Sequence, residues 1–238
     1  MLSINLSPKA EHQPADKTVN NNGKTAQKRR VHNLIILDES GSMTSIYNAA
    51  LTGLNETLQT IRLAQEENPE QEHFVTLVSF DWRNRVRYNE IYHRTPIGKT
   101  SAITREQYNP GGGTPLFDAA GRAITELRRD TKEGDVVLVT IITDGYENAS
   151  VEYDAKAIRA LIEGLRTKGW VFTFIGANQD VEKVAMSMSI KNHLTFDSTE
   201  QGTKEMFVKE NASRVNFFKR ININLDPDQN LDEGYFDK

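Results

Sequence analysis

Leu34-Ile35-Ile36-Leu37 is a short uninterrupted apolar run, the pattern of a strand covered on both faces rather than wetted on one. Ordered structure is expected to begin just ahead of it, at Val31. Residues 7–30 are rich in Pro, Asn, Lys and Gln with almost no large apolar side chain, so burial cannot offset their ordering entropy. Residues 1–30 therefore read as a flexible tail. Beyond the polar turn Asp38-Glu39-Ser40-Gly41-Ser42, apolar residues recur at Ile46, Ala49, Ala50, Leu54, Leu58, Ile61 and Leu63, which predicts an amphipathic helix. Asn68-Pro69 ends it. Phe74 to Phe80, dense in β-branched and aromatic residues, reads as a second strand. The more polar Val86 to His93 follows a link of only Asp81 to Arg85, which suits an antiparallel edge hairpin rather than a crossover.

Pro115 stands where a helix can start, and Leu116, Ala119, Ala120, Ala123, Ile124 and Leu127 supply its buried stripe. Val136 to Ile142 is the most apolar strand. A helix over Tyr153 to Lys168 follows, with Gly169 at its C-terminal cap ahead of the strand Trp170 to Ile175. A short Met-bearing helix, a last strand near His193 to Phe196 and a helix over Thr199 to Arg220 complete the pattern. Met186 and Met188, with Val184 and Ile190, are expected to fill core gaps, and Phe207, Phe217 and Phe218 to be packing residues. Strands alternating with helices, and strands apolar on both faces, predict an α/β fold. It is a doubly wound, mostly parallel sheet of six strands, with one antiparallel edge strand and helices on both faces. The domain is expected over 31–224, with 225–238 a frayed tail.

Composition narrows the function classes. The 238 residues suffice for one substantial core. A formal charge of −4 gives no general attraction to phosphate backbones or anionic lipid, so neither nucleic acid nor a membrane is an expected partner. With no cysteine there is no disulfide, thiolate metal site or cysteine nucleophile. The N-terminal residues turn polar at once, without the pattern of a secretory signal, and no apolar stretch reaches the ~20 residues of a membrane span; a cytoplasmic location is the expectation. His12, His32, His73, His93 and His193 show no paired spacing for zinc. Gly23-Lys24-Thr25 and Gly98-Lys99-Thr100 lack the earlier glycine of a phosphate-binding loop. Ser40 is not in a nucleophile elbow, because Asp38 holds the first glycine position. The Trp82, Arg83, Arg85, Arg87, Tyr88 cluster reads as edge-strand charge that discourages aggregation.

The chemistry concentrates in three loops that follow predicted strands, where open α/β sheets bind their ligands. Asp38-Glu39-Ser40-Gly41-Ser42 places a carboxylate and two hydroxyls at alternating positions. Asn109-Pro110-Gly111-Gly112-Gly113-Thr114-Pro115 delivers a threonine hydroxyl from a glycine-rich turn. Thr143-Asp144-Gly145 closes the most apolar strand. Two Asp, two Ser and one Thr suit a hard divalent cation: Mg²⁺ takes one or two carboxylates and keeps several waters. At most two negative protein charges leave such an ion electrophilic toward an added carboxylate.

The D-x-S-x-S sequence at Asp38, Ser40 and Ser42, the threonine at Thr114 in a glycine-rich loop, and the T-D-G around Asp144 resemble the metal-ion-dependent adhesion site of von Willebrand factor A domains, in order and in spacing. The likeness spans roughly Val31 to Arg220. It implies that Ser40, Ser42 and Thr114 ligate the metal directly and that Asp38 and Asp144 act at it directly or through water. Mg²⁺ is the implied cofactor, with Mn²⁺ or Ca²⁺ as alternatives. It further implies a non-enzymatic protein-binding module whose partner supplies a carboxylate, within an intracellular assembly such as one built on an AAA+ ATPase or a kinase. The rival reading is a Mg²⁺-dependent phosphohydrolase using the same aspartates. It lacks an evident second acidic group and lysine, and alternation is expected to turn Glu39 away from the ligands.

Overall fold

The computed structural model describes residues 28–178, 180–223 and 231–237. Six strands form one sheet in the order β3-β2-β1-β4-β5-β6. The strands are β1 (Arg29–Asp38), β2 (Gln71–Trp82), β3 (Val86–Pro96), β4 (Val136–Thr143), β5 (Trp170–Gly176) and β6 (Asn192–Thr195). All neighbouring pairs are parallel except β2 and β3, an antiparallel edge hairpin with register shifts between Val75 and Val78. The helices are α1 (Tyr47–Glu67), α2 (Leu116–Asp130), α3 (Ala155–Arg166), α4 (Val181–Ser187) and α5 (Glu200–Ile223). This is the expected doubly wound α/β architecture.

Alternation along β1 explains the layers. Ile35 and Leu37 enter a core shared with Leu54, Leu58 and Ile61 of α1 and Phe207, Phe217 and Phe218 of α5. Leu34 and Ile36 face the opposite way, onto Ala120, Ala123 and Ile124 of α2 and Ile158 and Ile162 of α3. A strand covered on both faces has no wetted positions, which is why its sequence reads as a continuous apolar run. The chain leaves β1 toward β2 on one side and returns to β4 on the other. The carboxyl ends of β1 and β4 therefore flank the point where strand order reverses, the place such sheets reserve for ligands. No helix among the described residues is long and apolar enough to cross a membrane.

Three expectations are corrected. Most of the tail over 1–30 lies outside the described residues, but β1 starts at Arg29, ahead of Val31. The extension is held by charge: Arg30 donates to both carboxylate oxygens of Asp135, at 2.9 and 2.5 Å, and Arg29 donates to the Ile221 carbonyl. At the other end, part of the expected frayed tail over 225–238 also lies outside the described residues, yet 231–237 docks on the core. Tyr235 is only 2% exposed and Leu231 and Phe236 pack beside it. Two aromatic rings in that stretch offset the entropy of ordering it. Finally, Met188 and Ile190 are buried but Met186 is 49% exposed, because the short α4 turns that position to solvent.

Candidate metal centre

Asp38 ends β1, and Asp144 follows the last residue of β4. Parallel pairing sets Leu37 beside Ile142, so the two strands deliver their carboxylates to one spot. Thr143 Oγ1 donates to Asp38 Oδ2 at 2.6 Å, and the Ser40 backbone N–H donates to Asp38 Oδ1 at 2.7 Å. That second bond closes a tight Asx-type turn, which swings Ser40 and then Ser42 over the strand end. Ser40 Oγ lies 3.1 Å from Ser42 Oγ, and Ser42 Oγ donates to Asp144 Oδ1 at 2.5 Å. Asp38, Ser40, Thr114 and Asp144 are buried, while Ser42 faces solvent.

Thr114 arrives from the glycine-rich loop, which is fixed at several points. Gly113 and Trp82 exchange a reciprocal pair of backbone bonds, each 3.0 Å. The close approach requires glycine at the neighbouring position: Gly112 has φ +82°, and a Cβ there would lie 2.0 Å from the Trp82 carbonyl oxygen. The Gly41 N–H donates to Gly112 O at 3.0 Å, and Gly111 N–H to Glu39 O at 2.8 Å. Thr114 N–H donates to Asn148 Oδ1 at 2.9 Å, and Asn148 N–H returns a bond to Thr114 O at 3.1 Å.

Gly145 supplies a test of whether these residues fit a cation. A methyl carbon built on it would lie 2.8 Å from Thr114 Oγ1, 3.3 Å from Ser42 Oγ and 3.4 Å from Asp38 Oδ2. Oxygens from all three loops thus converge on one small space that only glycine leaves open. Burial pushes the Asp38 carboxyl up to about 6, with the nearby Asp144 charge adding to the effect. Two buried carboxylates and nearby hydroxyls converging on one point are a set that a hard divalent cation would stabilise. All five residues singled out from the sequence are brought together.

Residues around these five hold the site in place. Glu39 does turn away from the ligands, as alternation predicts. Its buried carboxylate accepts from Asn109 N–H at 2.7 Å and Ser79 Oγ at 2.5 Å, clamping the glycine-rich loop to β2. Tyr108 O–H donates to the Asp38 carbonyl at 3.0 Å from a fully buried position. Ser198, in the loop ahead of α5, donates to Asp144 Oδ2 at 3.0 Å. Glu147 accepts from the N–H groups of Phe117, Ala149 and Ser150, and Asp118 from those of Val151, Glu152 and Tyr153. These two carboxylates bind the loop after β4 to the first turn of α2, where negative charge is favoured. The arginine cluster is structural here: Arg83 and Arg87 pair with Asp81, and Arg83 also donates to Asn109 O.

The chain resembles known folds at low sequence identity. The SpRpn10 VWA domain aligns with a TM-score of 0.50 at 12% identity, covering 75% of this chain and 94% of that one. The pilus adhesin SpaC from Lactobacillus rhamnosus GG, in its open conformation, gives 0.56 at 15%, covering 82% and 31%. Proximal thread matrix protein 1 from the mussel byssus gives 0.51 at 14%, covering 76% and 45%. The match therefore spans under half the length of the last two. A search of curated proteins finds no match. The sequence model for the von Willebrand factor type A domain matches residues 34–213, most of the chain. The protein belongs to the von Willebrand factor type A domain family.

Proposed function

We propose that this chain is a metal-dependent protein-binding module. Asp38, Ser40, Ser42, Thr114 and Asp144 hold Mg²⁺, and the ion recognises an acidic side chain of a protein partner, within an intracellular assembly such as one containing an AAA+ ATPase or a kinase. The observation that carries this reading is the convergence of oxygens from three loops on the space in front of Gly145. Two carboxylates and neutral hydroxyls bring no excess of negative charge and would leave a bound dication with open coordination, which an incoming carboxylate oxygen can fill. When bound, the cation supplies that electrophilic anchor. The protein's own residues orient it: Thr143 and the Ser40 N–H fix Asp38, and Ser42 and Ser198 fix Asp144.

The phosphohydrolase reading is not favoured. Glu39, the carboxylate between the ligands in sequence, is occupied by Ser79 and Asn109, and no lysine or histidine lines the cavity among the described residues. Calorimetric titration with Mg²⁺ tests the proposal. Wild type is expected to bind one ion and the Ser40→Ala, Ser42→Ala double variant to bind none while keeping its fold. A partner captured with Mg²⁺ and released by EDTA is the second expected result. Equal Mg²⁺ binding by both proteins overturns the site; capture unaffected by EDTA overturns the metal-dependent mechanism.

A further inference from the structure

A cavity of about 320 Å³ opens above the ligand oxygens, and its wall includes Ser42, Thr114, Asp144, Tyr146, Asn148 and Asn178. The last three belong to no metal set. Two of them are amides whose orientation is fixed by what they already bond. Asn148 Oδ1 accepts from the Thr114 N–H, so Nδ2 is the free end, a donor. Asn178 Nδ2 donates to the Asp144 carbonyl at 3.3 Å, so Oδ1 is the free end, an acceptor. Neither free end has a partner among the described residues. Tyr146 is 61% exposed on the loop whose backbone Glu147 and Asp118 tie down, so a partner need order only its ring and not the loop.

Resting on the metal-binding reading above, we infer that this cavity reads a peptide backbone around the partner's acidic residue, with an apolar neighbour lying on Tyr146. A cation beside one donor and one acceptor matches a carboxylate flanked by a peptide C=O and a peptide N–H. A phosphate group offers oxygens throughout and leaves Asn178 Oδ1 facing another acceptor. The apolar ring completes the match, because a side chain next to the acid buries area there that a free anion lacks. Asn148, Asn178 and Tyr146 are thus the specificity residues, and the acid alone is not the ligand.

The full chain, saturated with Mg²⁺, is titrated by NMR with acetate, N-acetyl-aspartate α-methyl ester, N-acetyl-aspartate α-methylamide, N-acetyl-Asp-Leu-amide and inorganic phosphate. The methylamide is expected to bind about five-fold tighter than the ester, which keeps the acetamide N–H and lacks only the N–H that follows the aspartate, and tighter still than acetate. The leucine probe gains about three-fold more, and Tyr146→Ala abolishes that gain. Asn148→Asp keeps the acceptor for Thr114 and removes the donor; its new charge opposes acetate and methylamide alike, so their affinity ratio falls. Equal binding of acetate, ester and methylamide overturns this inference and leaves the metal reading standing, as does phosphate binding tighter than the methylamide. Absence of any Mg²⁺-dependent carboxylate binding overturns the reading beneath it as well.

Discussion

Ser198 Oγ donates to Asp144 Oδ2 at 3.0 Å, joining the loop ahead of α5 to the carboxylate that follows β4. Asp144 is 1% exposed, so a lost donor is not replaced by bulk water. Ser198→Ala is expected to destabilise the metal-free protein by about 1–2 kcal/mol, a fall in Tm of roughly 3–6 °C for a chain of this size. With Mg²⁺ bound as proposed, the cation would stabilise the Asp144 carboxylate in place of the lost donor, so the loss is expected to shrink in saturating Mg²⁺. Thermal melts in EDTA and in Mg²⁺ check this, and an equal fall in both removes Ser198 from the site.

Gly145→Ala places a methyl group on the convergence point, 2.8 Å from Thr114 Oγ1. The nearest atom is the end of a side chain that can rotate, so folding survives at a cost of about 1–2 kcal/mol. The space for a cation does not survive. We expect calorimetry to find no Mg²⁺ binding in a variant with wild-type far-UV circular dichroism; tight binding by the variant would place the ion elsewhere.

The sheet and the five metal-site candidates were legible in the sequence for a shared reason. Strands buried on both faces leave continuous apolar runs, and the polar loops that interrupt them stand out by contrast. What escaped were residues whose role depends on contacts between distant segments. Ser198 lies 54 positions from Asp144 and looks like an ordinary loop residue. The docking of 231–237 was hidden in the same way, because Tyr235 and Phe236 form only a two-residue aromatic pair in an acidic stretch, and only folding sets the Tyr235 ring 5.8 Å from that of Phe217.

Asp38→Asn should separate stability from binding. The Asp38 carboxyl is fully buried and its ionised form is disfavoured by that burial. A neutral amide of the same shape keeps the bond from Ser40 N–H, donates its Nδ2 to Thr143 Oγ1 while that hydroxyl turns to the Gly145 carbonyl, and relieves the charge, so the metal-free protein is expected to gain about 1–3 kcal/mol at pH 7. Mg²⁺ should then add no stability, whereas it is expected to raise the Tm of wild type. Urea melts with and without Mg²⁺ read both effects; loss of stability in EDTA would show that the carboxylate is satisfied without a cation.

Tyr235 anchors the C-terminal segment to a buried charge network. Its O–H donates to Glu210 Oε1 at 3.0 Å, and Glu210 pairs with Arg214 at 2.6 Å. Arg214 also donates to Asn33 Oδ1 and Thr140 Oγ1, each at 2.9 Å, tying α5 to β1 and β4. Tyr235→Ala removes a buried ring and one partner of a buried carboxylate, a loss of about 3–5 kcal/mol. A fall in Tm of roughly 10 °C is expected; a change under about 2 °C would mean that this segment contributes nothing to the core.

Acid sensitivity should trace to His73. The ring is fully buried, and its tautomer is fixed by its neighbours. Gln71 Nε2 donates to the Phe218 carbonyl, so Gln71 Oε1 accepts from His73 Nε2 at 2.8 Å. Asn33 Oδ1 accepts from Arg214, so Asn33 Nδ2 faces His73 Nδ1 at 3.4 Å and that nitrogen carries no proton. Burial, helped by the Arg214 charge, lowers its pKa to about 3 from 6.5. The unfolded chain therefore takes up a proton below pH 6.5 that the native state refuses. This contribution to stability is complete above pH 6.5 and is lost as pH falls toward 3, at about 1.4 kcal/mol per unit. Asp38, with its raised pKa, works in the opposite sense between 3.8 and about 6, and buried His32 in the same sense as His73. Comparing His73→Gln with wild type cancels both. Urea melts at pH 7 and pH 5 are expected to show about 2 kcal/mol less pH-dependent loss in the variant, and an unchanged difference between the two pH values would mean that His73 titrates normally in the folded protein.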